Sequence, residues 1–201
     1  EETAVNGHWE PGPRDDLFLA IQNALGQVPL VAENLGLITE EVEALRKRFE
    51  FPGMGVLQFA FGPDIEHAGF LPYEYYPNMV AYTGTHDNDT FIGWWQGNGE
   101  GTTMSRAAIR QERDFARRYM ATTGKDIHWV GIRVIMASVA DTAVFPLQDI
   151  LGLGSEARMN TPGTSGDHNW RWRFRTGALT PDAGERLREM TELYGRLPDG
   201  R

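Results

Sequence analysis

Hydrophobic residues recur along this chain in two rhythms, and the switches between them mark out its elements. From Arg14 to Leu25, residues Leu17, Ala20, Ile21, Ala24 and Leu25 share one helical face, and Gly26 follows as a natural C-cap. The next apolar run, Val28-Pro29-Leu30-Val31-Ala32, is short and continuous and predicts a buried strand that ends in the polar group Glu33-Asn34-Leu35-Gly36. A second helix is predicted from Thr39, whose hydroxyl suits an N-cap. Glu40, Glu41 and Glu43 come early in it and Arg46, Lys47 and Arg48 late, which matches the helix dipole. Pro52-Gly53 breaks this helix.

Beyond the break, Gly55–Phe61 predicts a strand, 62–77 a Pro- and Tyr-rich loop, and Met79–Thr83 a further strand running into Gly84-Thr85-His86-Asp87-Asn88-Asp89. Past a Gly-rich link at 97–101, Ser105 suits the cap of a helix to about Met120, and another helix is predicted from Asp126 to Ala140. Thr142–Leu147 predicts a fourth strand, followed by Gln148-Asp149, then a long polar and aromatic loop over 152–177. Thr180-Pro181 opens a last helix, with Leu187, Met190 and Tyr194 on one face. Strands that alternate with helices predict an α/β fold with a parallel sheet. Two architectures fit: half of an eight-fold (β/α) barrel, or a small open sheet with helices on both faces.

Composition narrows the function classes. The chain has 201 residues, 41% hydrophobic and 23% charged, which is ordinary for a globular protein. A net charge of −9 argues against a nucleic-acid partner, because phosphate binding needs a basic footprint, but leaves room for a neutral ligand such as a sugar. The interleaved Asn169-Trp170-Arg171-Trp172-Arg173-Phe174-Arg175 is therefore read as loop packing or the lining of a sugar cleft rather than as a nucleic-acid platform. The chain has no cysteine, so disulfides and thiolate metal sites are ruled out, and a cytoplasmic setting is the expectation. No apolar run reaches the ~20 residues of a transmembrane helix, so no membrane partner is expected. The start, Glu1-Glu2-Thr3-Ala4, lacks Met, which suggests a piece of a longer polypeptide.

The informative chemistry is acidic and sits at strand ends. Glu33 follows one apolar run, and Asp87 lies shortly past another. In a barrel all strand C-termini converge on one face, and two carboxylates there are the minimal equipment for cleaving a glycosidic bond. Glu33 also fits a capping acid for the helix that follows. The group His86-Asp87-Asn88-Asp89 fits a polar turn, a metal loop or a sugar-binding cluster, although the EF-hand glycine and ligand spacing are absent. Phe59, Trp94-Trp95 and the tyrosines 73, 75 and 76 offer flat faces on which sugar rings stack, whereas Phe61 and Trp129 read better as core. No P-loop, dinucleotide fingerprint or Gly-x-Ser-x-Gly elbow is present.

Three stretches carry a resemblance to a known family. Pro29–Gly36, Met54–Phe61 and Tyr82–Thr90, supported by Val144–Asp149 and Arg158–Thr164, resemble the later motifs of glycoside hydrolase family 77, the amylomaltases, in the family's order. The resemblance implies a TIM barrel of the α-amylase clan, with residues 1–201 supplying about strands five to eight and the N-terminal half of the enzyme as the missing partner. It implies 4-α-glucanotransferase activity, with retention, on maltooligosaccharides and other α-1,4-glucans, and no cofactor or metal. By position, Glu33 matches the general acid/base, Asp87 the transition-state stabiliser and His86 the neighbouring sugar-binding histidine. Asn160 matches a polar residue of the same subsite, and Phe59 an aromatic on the acceptor side. The family's nucleophile stands in an Arg-x-Asp-His setting that this sequence does not contain, and Asn34 replaces the usual Asp. A hydrolase of the same clan and a non-catalytic glucan-binding fragment are the competing expectations.

Overall fold

The computed structural model describes residues 7–8, 10–36, 38–62, 69–97 and 104–198. The chain divides into two compact units, Glu1–Gly53 and Met54–Arg201.

The first unit carries two helices, α1 (Asp15–Leu25) and α2 (Glu40–Arg48). Both follow the sequence closely. Gly26 ends α1 with φ 74°, a left-handed turn that a side chain would strain. Thr39 caps α2, its Oγ1 accepting from the Val42 amide at 3.4 Å. The packing centre is a trio of rings, with Phe18 4.9 Å from Phe51 and 5.1 Å from Phe49 between centroids.

Arg46 on α2 is buried at 6% exposure, and its charge is fully met. Its guanidinium donates to both carboxylate oxygens of Glu43, at 2.9 and 2.6 Å, and to the Phe51 carbonyl. The Arg46 hydrogen bond holds the Glu43 carboxyl below its ordinary range, with Lys47 adding to the effect.

Two expectations fail in this unit. The predicted apolar face of the first helix is not a buried one, since Leu17 and Leu25 are exposed. Val28–Ala32 is not a strand either: it forms no ladder, Val31 is exposed, and its tie to other residues is the Ala32 amide donating to the Pro52 carbonyl at 2.9 Å. A continuous apolar run reads as a strand only where neighbouring strands satisfy its backbone, and among the described residues none pairs with it.

The second unit is built on a three-stranded sheet in the order β1-β2-β3, with β1 (Gly53–Val56), β2 (Met79–Tyr82) and β3 (Thr142–Val144). Strands β2 and β3 are parallel, with Val80, Ala81 and Tyr82 opposite Thr142, Ala143 and Val144. The crossover between them holds α3 (Phe91–Gln96), α4 (Arg106–Tyr119) and α5 (Ile127–Met136), as a parallel connection requires. After β3 come α6 (Leu147–Ile150) and α7 (Pro181–Leu193). Ser105 and Thr180 cap α4 and α7 as predicted, accepting from Ala108 and Ala183 at 3.2 and 3.3 Å.

The core gathers Leu57, Phe61, Tyr75, Met79, Ala81, Phe91, Met120 and Ile135 between sheet and helices. Trp129, Ile132 and Met136 of α5 form a second cluster with Met190 of α7, against which Leu187 and Tyr194 pack. Phe61 and Trp129 are thus core, as their sequence setting suggests.

Among the described residues three strands stand where four were predicted, and each is shorter than its predicted run. The Gly55–Phe61 run leaves the sheet after Val56 and makes a 3-10 turn over Leu57–Phe59. Gln58 explains why: it is buried, and its amide donates to the Asp89 carbonyl at 2.9 Å, a partner found only at the strand's end. The last predicted strand stops at Val144, and Leu147 opens α6. Helix α3 is unpredicted because Phe-Ile-Gly-Trp-Trp-Gln has poor intrinsic propensity; Thr90 caps it, and Phe91 drives it into the core.

Two glycines in helices test the packing. A Cβ on Gly131 of α5 would lie 2.6 Å from the Phe91 ring, whereas one on Gly184 of α7 would meet nothing within 4 Å. Gly184→Ala is expected to stabilise the protein by up to about 1 kcal/mol, the helix-propensity gain. Gly131→Ala is expected to destabilise it by about 1–3 kcal/mol, overpacking outweighing that gain. Urea denaturation of the two variants checks both signs.

Candidate active site

The loop from Gly84 to Thr90 leaves β2 and returns into α3, and its shape is set by hydrogen bonds rather than by apolar packing. The Asn88 side-chain oxygen accepts from the Thr85 amide at 2.8 Å and from the Thr85 hydroxyl at 2.9 Å, closing a tight turn. Gly84 is required here, because a Cβ would sit 2.5 Å from the Gln58 amide nitrogen that holds Asp89. The turn lifts His86 and Asp87 out of the sheet as exposed side chains.

A second segment meets this turn. Asn160 donates from Nδ2 to Asp87 Oδ1 at 2.6 Å, and its backbone amide donates to the His86 carbonyl at 3.1 Å. Arg158 straddles both segments, donating to the Asp87 carbonyl at 2.7 Å and to the Asn160 carbonyl at 2.8 Å. His86 Nε2 lies 3.4 Å from the same Asp87 oxygen. Three residues singled out in the sequence, His86, Asp87 and Asn160, therefore form one hydrogen-bonded group although Asn160 is far along the chain.

This group borders a cleft of about 400 Å³ lined by Phe59, Asp87, Arg158, Pro162, Trp94 and Glu112 among others. Phe59, the predicted acceptor-side aromatic, is exposed at one wall and stands edge-on to Phe70 at 5.5 Å. Glu112, also in the lining, is buried, accepts from the Trp94 indole at 3.2 Å, and has its pKa raised chiefly by burial. A cleft with apolar and aromatic walls and a few oriented polar groups is suited to a neutral polyhydroxy ligand.

Glu33 lies in the other unit. It is exposed, it follows the extended segment Val28–Ala32, and among the described residues its carboxylate makes no hydrogen bond or ion pair.

Two contributors, Arg158 and Asp149, were not singled out in the sequence, and a third, Trp170, was read there only as part of an aromatic loop. Arg158 stands within a quoted motif, yet only the structure reveals it as the bridge. Trp170 packs on His86 with ring centroids 4.9 Å apart, held at φ 62° by its amide donating to the Met159 carbonyl at 2.7 Å. Asp149 lies 1% exposed beneath the loop, accepting from the Thr83 hydroxyl at 2.6 Å and from the Phe91 amide at 2.7 Å. Its position just past an apolar run, like that of Glu33, was the available signal. Among the described residues no three His, Asp or Glu side chains converge to hold a metal ion.

The chain resembles known proteins over nearly all its length. Residues 1–180 match a family model described as 4-alpha-glucanotransferase. The 4-alpha-glucanotransferases of Thermus thermophilus and of a Synechocystis species are each 48% identical to it, over 97% and 98% of this chain. The structure of amylomaltase from Streptococcus agalactiae in complex with acarbose superposes on 98% of the chain with a TM-score of 0.85 at 34% identity. The chain spans less than two fifths of these proteins: 38% of the Thermus protein, 37% of the Synechocystis protein and 38% of the amylomaltase.

Burial pushes the Asp149 carboxyl up to about 6, with nearby Asp89 adding to it and the Phe91 and Thr83 hydrogen bonds opposing it. A carboxyl whose folded pKa is raised binds its proton more tightly when folded. Stability from this group is then present below its unfolded value of 3.8 and lost as pH rises through about 6. The stability of the native protein relative to Asp149→Asn is expected to improve by up to roughly 3 kcal/mol from pH 8 to pH 4, at 1.36 kcal/mol per pKa unit. Paired urea denaturation curves at the two pH values measure that difference.

Proposed function

The chain belongs to the 4-alpha-glucanotransferase family, and from that membership we propose that it forms the acid/base-bearing part of an enzyme that moves a segment of an α-1,4-glucan onto the 4-hydroxyl of an acceptor glucan or glucose. The structural observation that carries this reading is the His86-Asp87-Asn160 group at the edge of a cleft walled by Phe59. In the proposed architecture the chain supplies about strands five to eight of a (β/α)8 barrel of the α-amylase clan. The remainder of a longer polypeptide supplies the nucleophile, since no Arg-x-Asp-His occurs in the sequence. A cytoplasmic location, maltooligosaccharide substrates and the absence of any cofactor belong to the same proposal.

The chemistry proceeds in two displacements. In the first, Glu33 as a neutral carboxylic acid protonates the leaving glucan oxygen while an aspartate outside this chain attacks the anomeric carbon. In the second, Glu33 as carboxylate takes the proton of the acceptor's 4-hydroxyl as that oxygen attacks the anomeric carbon and the bond to the aspartate breaks, freeing that carboxylate and restoring the original anomeric configuration. Retention requires the acid/base and the nucleophile to stand ~5–5.5 Å apart. Asp87 acts on the sugar ring rather than on the proton. Its Oδ1 is occupied by Asn160, which leaves the other oxygen free to accept from ring hydroxyls whose polarity rises as the ring flattens. Contacts that strengthen in this way lower the barrier rather than the Michaelis constant. Aromatic faces such as Phe59 hold the acceptor and keep water away, which favours transfer over hydrolysis.

In an active enzyme containing this chain, Glu33→Gln is expected to lose at least ~10²-fold in maltotriose disproportionation, the usual weight of a general acid–base group. Asp87→Asn is expected to lower kcat with little change in KM. Near-normal turnover by the Glu33 variant would refute the assignment. Glucose release with no longer oligosaccharides, unaltered by added acceptor glucose, would make the enzyme a hydrolase instead.

A further inference from the structure

The loop that carries His86 and Asp87 is anchored at both of its ends by a single side chain from the neighbouring strand's exit. We propose that Asp149 is a positioning residue for this loop: its carboxylate, bound to Thr83 where β2 ends and to Phe91 where α3 begins, fixes the separation and direction of the two stems and so aims Asp87. The inference rests on the reading of Asp87 as a group that contacts the reacting sugar.

Three observations support it. The two bonds are divided between the ends, Oδ2 accepting from the Thr83 hydroxyl at 2.6 Å and Oδ1 from the Phe91 amide at 2.7 Å. Thr83, Phe91 and Asp149 are all at most 1% exposed, so both bonds lie in a dry environment where water cannot substitute for them. The other ties to the loop differ in kind. Asn160 and Arg158 grip it at His86 and Asp87, near the surface, and Ser155 donates to Asp89 at 2.6 Å at an exposed site. Those contacts fix the loop's tip and flank, and the buried Gln58 amide holds the Asp89 carbonyl at 2.9 Å on the α3 side alone, whereas Asp149 ties both stems to one carboxylate.

The Phe91 bond also has no ready replacement. The Thr90 hydroxyl caps α3 by accepting from the Gly93 amide at 3.0 Å, so the first amide of that helix depends on Asp149. Removing the carboxylate leaves a buried N–H and a buried hydroxyl without partners and frees the two stems to separate. A displacement of about 1 Å at a reacting group can cost on the order of 10²-fold in rate.

Asparagine separates the clamp from the charge. Its Oδ1 can accept from Phe91 and its Nδ2 can donate to the Thr83 hydroxyl, which retains both ties. The test uses Asp149→Asn and Asp149→Ala, with kcat and KM for maltotriose measured in an active enzyme containing this chain, and amide hydrogen exchange of residues 84–91 measured in the chain itself. For Asp149→Ala the expected results are a kcat at least ~10-fold lower with KM within about threefold, and faster exchange at Phe91 and Asp87. Asp149→Asn is expected to recover kcat to within about threefold of the native value and to keep the Phe91 amide protected. Thr83→Val serves if the alanine variant does not fold; it removes one tie at constant volume and is expected to lower kcat by a few-fold at unchanged KM. A folded Asp149→Ala or Thr83→Val variant with native kcat and native exchange overturns the proposal, as does an asparagine variant as impaired as alanine. If the unmodified enzyme transfers no glucosyl units, the functional reading fails by itself, and the exchange measurements still decide whether Asp149 clamps the loop.

Discussion

The backbone between Thr83 and Phe91 has no regular structure, so whatever it presents to a substrate depends on polar contacts that hold an irregular loop in one shape. Every buried backbone group must find a partner, and in this loop most partners are side chains. Asp149 serves the base, Gln58 takes the Asp89 carbonyl, and Asn88 closes the turn on Thr85. Gln58 and Asn88 come from turns just after a strand, and Asp149 from the short helix α6 that follows β3. The parallel pairing of β2 with β3 is what brings Asp149 beneath the loop, because it sets the two strand exits side by side. The sheet is short, but its work is to bring strand ends together.

The two proposed catalytic carboxylates are held in different ways. Asp87 is over-determined: its carbonyl, its Oδ1 and its neighbour's carbonyl are each bound by residues of the 158–160 segment. A group that stabilises developing charge by geometry needs such preorganisation. Glu33 has a looser local setting, an exposed side chain at the end of an extended segment. An acid/base must both give and receive a proton, and a carboxylate tied by strong hydrogen bonds to cationic donors would be held in its ionised form. Glu43 shows that alternative within the same unit: Arg46 grips both of its oxygens and lowers its pKa, which suits a structural anion and would disable an acid.

Some features were legible in the sequence because their cause is local. Thr39, Ser105 and Thr180 were readable as caps, since an N-cap depends only on one hydroxyl and the amide three residues on. The charge order of α2 and the apolar face of α7 were readable for the same reason. Strands were less so. Val28–Ala32 has the composition of a strand and no ladder, and Gly55–Phe61 turns after Val56 because Gln58 bonds a residue far along the chain. The site shows the same division. Asp87 and His86 were legible from their place after a strand, and Asn160 through family resemblance. Arg158 and Asp149 act through contacts that span 71, 66 and 58 positions, which no periodicity encodes.

The use of an acid at position 149 has a cost. Burial raises its pKa to about 6, so holding it ionised at neutral pH opposes folding, and an uncharged asparagine could keep both ties by accepting from the Phe91 amide and donating to the Thr83 hydroxyl. A carboxylate differs in one respect: both of its oxygens accept, so it imposes a single orientation on the Thr83 hydroxyl and cannot be reversed. An asparagine clamp has a defined amide face and works only in one of two flips. For a loop whose base must hold one geometry through repeated turnover, the symmetric acceptor removes the alternative arrangement. That advantage is one of specificity rather than of stability, which is the role in which buried charges are best understood.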